Sequence, residues 1–224
     1  MESIRGWRSL FAVGCLLAVL TSGCTSVSSG SMEAVKLAIH RHATVHPTAA
    51  SVAAQPYFQL QVSSHDGEAI LILASVQGAW LGWYGADGQA VFLRNGLLVK
   101  TLGLTQNLDA VQLPDQDPFA AGLQHVREPL EYSRVMDWSP DYRYGVTARA
   151  QMQPKAIENV TILGTVHRLR RIDERVRSAE AGFDVVNRYW VDPVDGFVWK
   201  SRQYVAPGLV LELTQLRPYG EPQS

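Results

Sequence analysis

The chain has 224 residues, 46% hydrophobic and 18% charged, and its 20 Lys and Arg against 21 Asp and Glu leave a formal charge of −1. A charge that nearly cancels supplies no basic footprint, which argues against a nucleic-acid partner. Two cysteines, Cys15 and Cys24, are too few for a disulfide framework, so packing has to hold the fold.

At the N-terminus, Arg5 and Arg8 precede an apolar run from Leu10 to Leu20, followed by the small residues Thr21, Ser22 and Gly23. A basic n-region, an apolar h-region and a small-residue cleavage site make residues 1–23 a secretory signal peptide. The run is short of the ~20 apolar residues that a membrane span needs. Cys24 immediately after the small residues resembles the lipobox of bacterial lipoproteins, although Thr21 stands where the commonest pattern has Leu. Cys15, behind Ala12, Val13 and Gly14, comes too early to leave a full h-region. The lipobox resemblance implies that Cys24 is acylated and becomes the first residue of the mature chain. Two or more acyl chains hold a protein durably on a bilayer, where one holds it only marginally. Thr25 rather than Asp follows the cysteine. By resemblance to the sorting rule of enteric lipoproteins, this points to the outer membrane, with the body on the periplasmic face. Loss of the leader removes Glu2, Arg5 and Arg8, one net positive charge, so the mature chain stays near neutral.

Residues 24–47 read as a lipidated linker with a short helix. TSVSSGS, residues 25–31, is a disordered lipid tether by composition, and MEAVKLAIHRH, residues 32–42, has the apolar spacing of a short amphipathic helix limited by Pro47. Residues 48–224 then suit one domain with a real core. YFQLQV alternates, AILILASV is a continuous apolar run, and WLGWYGADGQA places a turn at Gly85–Gly88. VFLRNGLLVKT carries Asn95-Gly96 between β-rich flanks, the strongest short hairpin signal. A two-residue loop there sets Arg94 opposite Leu97 and Phe92 opposite Val99.

Residues 113–130 hold three prolines and no sustained period, and read as a long irregular connection with room for one helical turn. After it, EYSRVMDW, VTARAQMQ, ENVTIL, TVHRLRRIDERV, FDVVNRYWV, FVWKSRQYV and LVLELTQL read as seven strands, separated at Ser139-Pro140, Pro154, Gly164, Gly182, Asp192–Gly196 and Pro207-Gly208. In NRYWVDPVDGFVWKSRQ, the PVDG turn sets Asp192 opposite Phe197, Val191 opposite Val198 and Trp190 opposite Trp199, with Tyr189 and Lys200 on the other face. Closely spaced strands without long helices between them predict an all-β fold, a single antiparallel β-rich domain curled into a barrel or sandwich.

The lipobox, PYFQLQV, ADGQAVFLRNGLLVKTLGL and YWVDPVDGFVWKSRQ, in that order and ending in LRP, resemble the YjbF/GfcB-type outer-membrane lipoproteins of group 4 capsule and exopolysaccharide operons. The resemblance implies a β-rich lipoprotein on the periplasmic side of the outer membrane that assists assembly or export of a surface polysaccharide. Its expected partners are membrane lipid through acylated Cys24 and polysaccharide export proteins or the surface glycan itself. The family supplies no catalytic residue to carry over.

Taken alone, the residues offer little for chemistry. Asp115 with Asp117, and Asp192 with Asp195, are the close carboxylate pairs that a glycan hydrolase or lyase would need, but all four sit in proline-flanked turns that Asp commonly builds. His40, His42 and His46 lack the Cys, Asp or Glu that would complete a metal set, and no phosphate loop or nucleophile elbow is present, so neither cofactor nor metal is expected. Tryptophans are better glycan platforms. Trp80, Trp83, Trp190 and Trp199, with Arg188, are the candidate glycan contacts, each with a core role as its alternative. RLRRIDER, residues 168–175, could meet an anionic polymer, yet its interleaved Asp173 and Glu174 suggest a self-neutralised strand. The runs AILILASV and LVLELTQL leave one further alternative, a lipid or acyl-chain carrier whose curved sheet encloses an apolar cavity.

Overall fold

A computed structural model describes residues 46–220. The leader, Cys24, the tether and the helix expected over residues 32–42 lie outside the described residues. Twelve strands form one antiparallel sheet: β1 (Gln59–Ser64), β2 (Gly67–Gln77), β3 (Trp80–Tyr84), β4 (Ala90–Arg94), β5 (Leu97–Leu102), β6 (Asn107–Gln112), β7 (Leu130–Ser139), β8 (Arg143–Ile162), β9 (Thr165–Ser178), β10 (Phe183–Val191), β11 (Val198–Ala206) and β12 (Leu209–Arg217). Their order is β5-β4-β3-β2-β1-β12-β11-β10-β9-β8-β7-β6. Apart from β5 and β6, each strand pairs with its neighbour in sequence, and β1 pairs with β12. The meander therefore curls back on itself as a nearly closed barrel, which leaves few free edges. The seam lies between β5 and β6, where side chains replace the ladder. Thr101 Oγ1 accepts from the Leu108 amide at 2.9 Å, and Asn107 Oδ1 accepts from the Leu104 amide at 3.1 Å.

Alternation turns one face of each strand inward. Met136 and Trp138 of β7, Val146, Ala148, Ala150 and Met152 of β8, Ile172 and Val176 of β9, and Leu211 and Leu213 of β12 are buried in one cluster with Leu60, Trp83 and Tyr189. Side chains of this size fill the barrel. Among the described residues, the interior holds a packed core and a charged network centred on Glu174.

Several expected details hold and several change. Asn95 and Gly96 both take positive φ, 51° and 83°, as the two-residue turn requires, and Arg94 pairs with Leu97. A bulge then sets Leu93 against Leu98 and Phe92 against Lys100, correcting the Phe92–Val99 pairing. A second bulge corrects the tryptophan pair. Val191 faces Val198, but Trp190 faces Lys200, and Trp199 is the extra residue. Lys200 thus shares the face of Trp190 rather than opposing it, and its Nζ lies 5.4 Å from the indole centroid. VTARAQMQ and ENVTIL are one strand, β8, because the register slip between Pro154 and Ile157 absorbs a proline that cannot donate to the ladder. β6 was not expected. A bulge between Leu108 and Ala110 puts its buried residues, Leu108 and Val111, three apart, which hides the period of two.

Two further pieces cover the barrel. The connection over residues 113–129 contains α2 (Pro118–Ala121), capped by Asp117, and one turn of 3-10 helix, Leu123–His125. Phe119 of this segment packs edge-on against Tyr189 inside the barrel at 5.3 Å. On the outer surface, β8 and β9 run past the last pair of β9 with β10, Arg170 with Val191, as a two-stranded arm. Ile162, Val160 and Leu163 of the arm cluster with Val52 of the short helix α1 (Ala49–Ala53), with Leu216, Ile70 and Trp199. A capping box between Thr48 and Ser51 starts α1.

Candidate functional site

The barrel axis holds a buried carboxylate. Glu174 sits on the inward face of β9 with no exposed surface. It accepts from Arg134 Nη1 at 3.0 Å, Asn187 Nδ2 at 2.8 Å, Tyr189 Oη at 2.8 Å, and the Tyr132 hydroxyl. Four donors occupy both oxygens, so the carboxylate has no lone pair directed at a substrate. Burial, reinforced by the Glu174 charge, pushes the Tyr132 and Tyr189 hydroxyls well above the ordinary tyrosine value. Burial opposes the charge on Arg134, but Glu174 and the two tyrosine oxygens more than offset it, and its affinity for a proton rises. Gln203 extends the network to the β4–β5 turn: its Oε1 accepts from the Leu98 amide at 2.9 Å and its Nε2 donates to the Gly96 carbonyl at 2.8 Å. The network joins β7, β9, β10 and β11 and fastens the turn before β5. It is architecture rather than an acid–base pair.

Three of the four aspartates in the close pairs build turns or caps, as their sequence context suggested. Asp117 accepts from the Phe119 amide at 2.8 Å and from Arg94 Nη2 at 2.5 Å. Asp192 accepts from the Val194 amide and Asp195 from the Phe197 amide, each at 2.8 Å. Asp115 is exposed. Among the described residues no group of His, Cys, Asp and Glu is placed to hold a metal.

The candidate glycan contacts are scattered over three places. Trp83 is a correction: its side chain is fully buried in the core and is closed to any polymer. Trp80 is 40% exposed on β3, five strands along the sheet from β10. Arg188 and Trp190 lie on the outer face of β10, and Trp199 lies on β11 beneath the arm. Trp190 is half-buried there, and its indole N–H donates to Glu158 of the arm at 2.8 Å. Trp199 lies under the arm with His167 against it, ring centroids 4.2 Å apart. Arg188 is exposed, with Asp173 and Arg202 opposite it on the flanking strands.

The basic run on β9 divides by strand parity. Arg171 is neutralised by Glu158 at 2.7 Å and Asp173 at 2.9 Å, as the interleaved carboxylates suggested. Glu174 points inward, however, and leaves the outward Arg175 and Arg177 to Asp184 of β10 alone, at 2.7 and 3.4 Å. The hydrogen bonds from Arg175 hold the Asp184 carboxyl below the usual range. Arg149 of β8 pairs directly with Arg177 in register. With Glu131, Ser133, Gln151 and Arg175 these residues line a concavity of about 480 Å³ on the outer face, with Tyr132 and Ala150 completing it. Residue types alone did not mark this place, because it is assembled by cross-strand register between segments 28 positions apart, Arg149 and Arg177.

Residues 32–216 match the family described as group 4 capsule polysaccharide lipoprotein gfcB, YjbF. The uncharacterized lipoprotein GfcB of Escherichia coli (strain K12) is 24% identical over 206 residues, covering 91% of this chain and 96% of the relative. The uncharacterized lipoprotein YjbF of the same strain is 28% identical over 153 residues, 67% of this chain and 70% of the relative. The crystal structure of the hypothetical lipoprotein YmcC from Escherichia coli (K12) superposes with a TM-score of 0.70 at 24% identity, covering 80% of this chain and 99% of that one, and shows the same fold.

Proposed function

The chain belongs to the group 4 capsule polysaccharide lipoprotein family, and from that premise we propose that it is a non-enzymatic accessory in capsule or exopolysaccharide assembly or export. It works from the periplasmic face of the outer membrane, held there by acylated Cys24. The family match across residues 32–216 is the observation that carries this reading. The structure supports it in two ways. The buried Glu174 is saturated by donors, and Asp117, Asp192 and Asp195 hold capping and turn bonds, so neither close pair offers the two free carboxylates that the hydrolase or lyase reading requires. The filled barrel turns function outward, to the sheet surface and its basic and aromatic residues.

Deletion of the gene is expected to lower surface polysaccharide. Cys24→Ala is expected to reproduce that defect while the body folds normally and leaves the membrane fraction. Radiolabelled palmitate on the parent and none on the variant checks the anchor. Normal surface polymer in the deletion strain would overturn the role.

A further inference from the structure

We infer that the concavity on the outer face of β7, β8 and β9 binds the anionic sugars of an acidic polysaccharide, with Arg149 and Arg177 as its oxyanion clamp. This rests on the accessory reading above and names the class of polymer that the protein handles. The register sets Arg149 opposite Arg177, and like charges in directly facing positions destabilise a sheet. Arg149 makes no ion pair among the described residues, and Asp184 serves Arg175 and Arg177 together from the β10 side. The lining therefore holds three guanidinium groups against one lining carboxylate, Glu131, which itself accepts from Gln151 at 3.1 Å. Guanidinium forks match the geometry of carboxylates and phosphates bidentately, and an arriving oxyanion relieves the repulsion between the two arginines.

The rest of the lining suits a sugar. Ser133, Gln151 and Glu131 offer donors and acceptors to hydroxyl groups at the same level as the arginines. About 480 Å³ falls within the usual ~300–1,000 Å³ of small-ligand sites. β6 ends at the Gln112–Val135 pair, so the start of β7 is paired with β8 alone, and the concavity reaches an edge of the sheet along which a polymer can continue. On the other side the same outer face leads to exposed Arg188 and to Trp190. A recess favours a chain that enters it over the flat headgroup layer of a membrane.

The test uses the full-length lipidated protein in non-ionic detergent, titrated calorimetrically with hexagalacturonate and with neutral maltohexaose. Binding of the acidic hexamer and none of the neutral one is expected. The double variant Arg149→Gln/Arg177→Gln is expected to lose at least tenfold in affinity, and Lys155→Gln/Arg168→Gln, an equal charge loss at the β8 bulge and on the arm, to stay within twofold. Equal binding of both hexamers, or equal loss in both double variants, overturns the inference. So does Arg149/Arg177-dependent binding to phosphatidylglycerol vesicles without binding to hexagalacturonate. The two readings fail separately. A deletion strain with normal surface polymer sinks the accessory role whatever the titration gives, whereas reduced polymer together with no arginine-dependent binding sinks only the site.

Discussion

β9 carries two guanidinium–carboxylate systems that differ only in the face they occupy. Inside, Glu174 meets Arg134 with both side chains essentially without solvent, and Asn187, Tyr132 and Tyr189 complete the shell. Outside, one residue further on, Arg175 meets Asp184 with both groups about half exposed. The inner pair has lost its water and has to be satisfied by protein, so every partner is committed. The outer groups are still hydrated and can exchange one partner for another at small cost. Chemistry of the same type therefore serves architecture on one face and recognition on the other, and burial decides which.

Removing the inner carboxylate is the strongest way to break that contrast. Glu174→Ala leaves Arg134 as a buried charge without its partner and strands the hydroxyls of Tyr132 and Tyr189 and the Asn187 amide. Loss of one member of a buried pair costs about 3–5 kcal/mol, a large share of the stability of an ordinary domain. Urea denaturation followed by tryptophan fluorescence should show the loss, and the corresponding change outside, Arg175→Ala, should leave the midpoint nearly in place. Equal midpoints for the two variants would mean that burial does not separate the faces.

Legibility in the sequence followed the same division. Local signals carried the meander: Asn95-Gly96, Gly85–Gly88, Gly164, Gly182 and Pro207-Gly208 all lie at or beside turns, because those positions need backbone geometries or terminations that few residues supply. Bulges were illegible. They hid β6, moved Phe92 from Val99 to Lys100, and separated Trp190 from Trp199, since one extra residue resets which side chains face each other. Among site candidates, Arg188 and Trp190 lie on the outward face of β10, a choice the sequence left open beside a core role. Trp83 was readable only as a tryptophan in a strand, and the core took it. The groove escaped because Glu174 looks like a neutralising neighbour of Arg175 in a linear sequence, whereas the pleat sends it to the opposite side, and because nothing local places Arg149 against Arg177.

A smaller effect sharpens the inner half of the comparison. Tyr189→Phe removes one hydroxyl donor from Glu174 while the ring keeps its contact with Phe119. Leaving a buried acceptor short of a partner costs about 1–3 kcal/mol. The raised tyrosine also has a pH signature. Its hydroxyl ionises near 10 in the unfolded chain and higher in the fold, so its stabilisation is complete below about pH 10 and is lost as pH climbs through the folded value. Melting temperatures from pH 8 to 11 should fall more steeply for the parent than for Tyr189→Phe. Parallel slopes would count against ionisation of Tyr189 as a cause of alkaline unfolding.

The smallest expected effect lies outside, and there its sign matters more than its size. Arg149→Gln/Arg177→Gln removes two exposed like charges that the register sets face to face. The unliganded variant should melt at the same temperature as the parent or slightly above it at low ionic strength. Salt distinguishes the causes, because the Debye length falls from about 30 Å at 0.01 M to about 8 Å at 0.15 M and screens the repulsion that the variant no longer has. Added salt should therefore raise the parent's melting temperature more than the variant's and close the gap between them. A parent that melts higher at low salt would mean that the Arg177–Asp184 contact outweighs the repulsion between the two arginines, and the outer face would then resemble the inner one in having its cations committed.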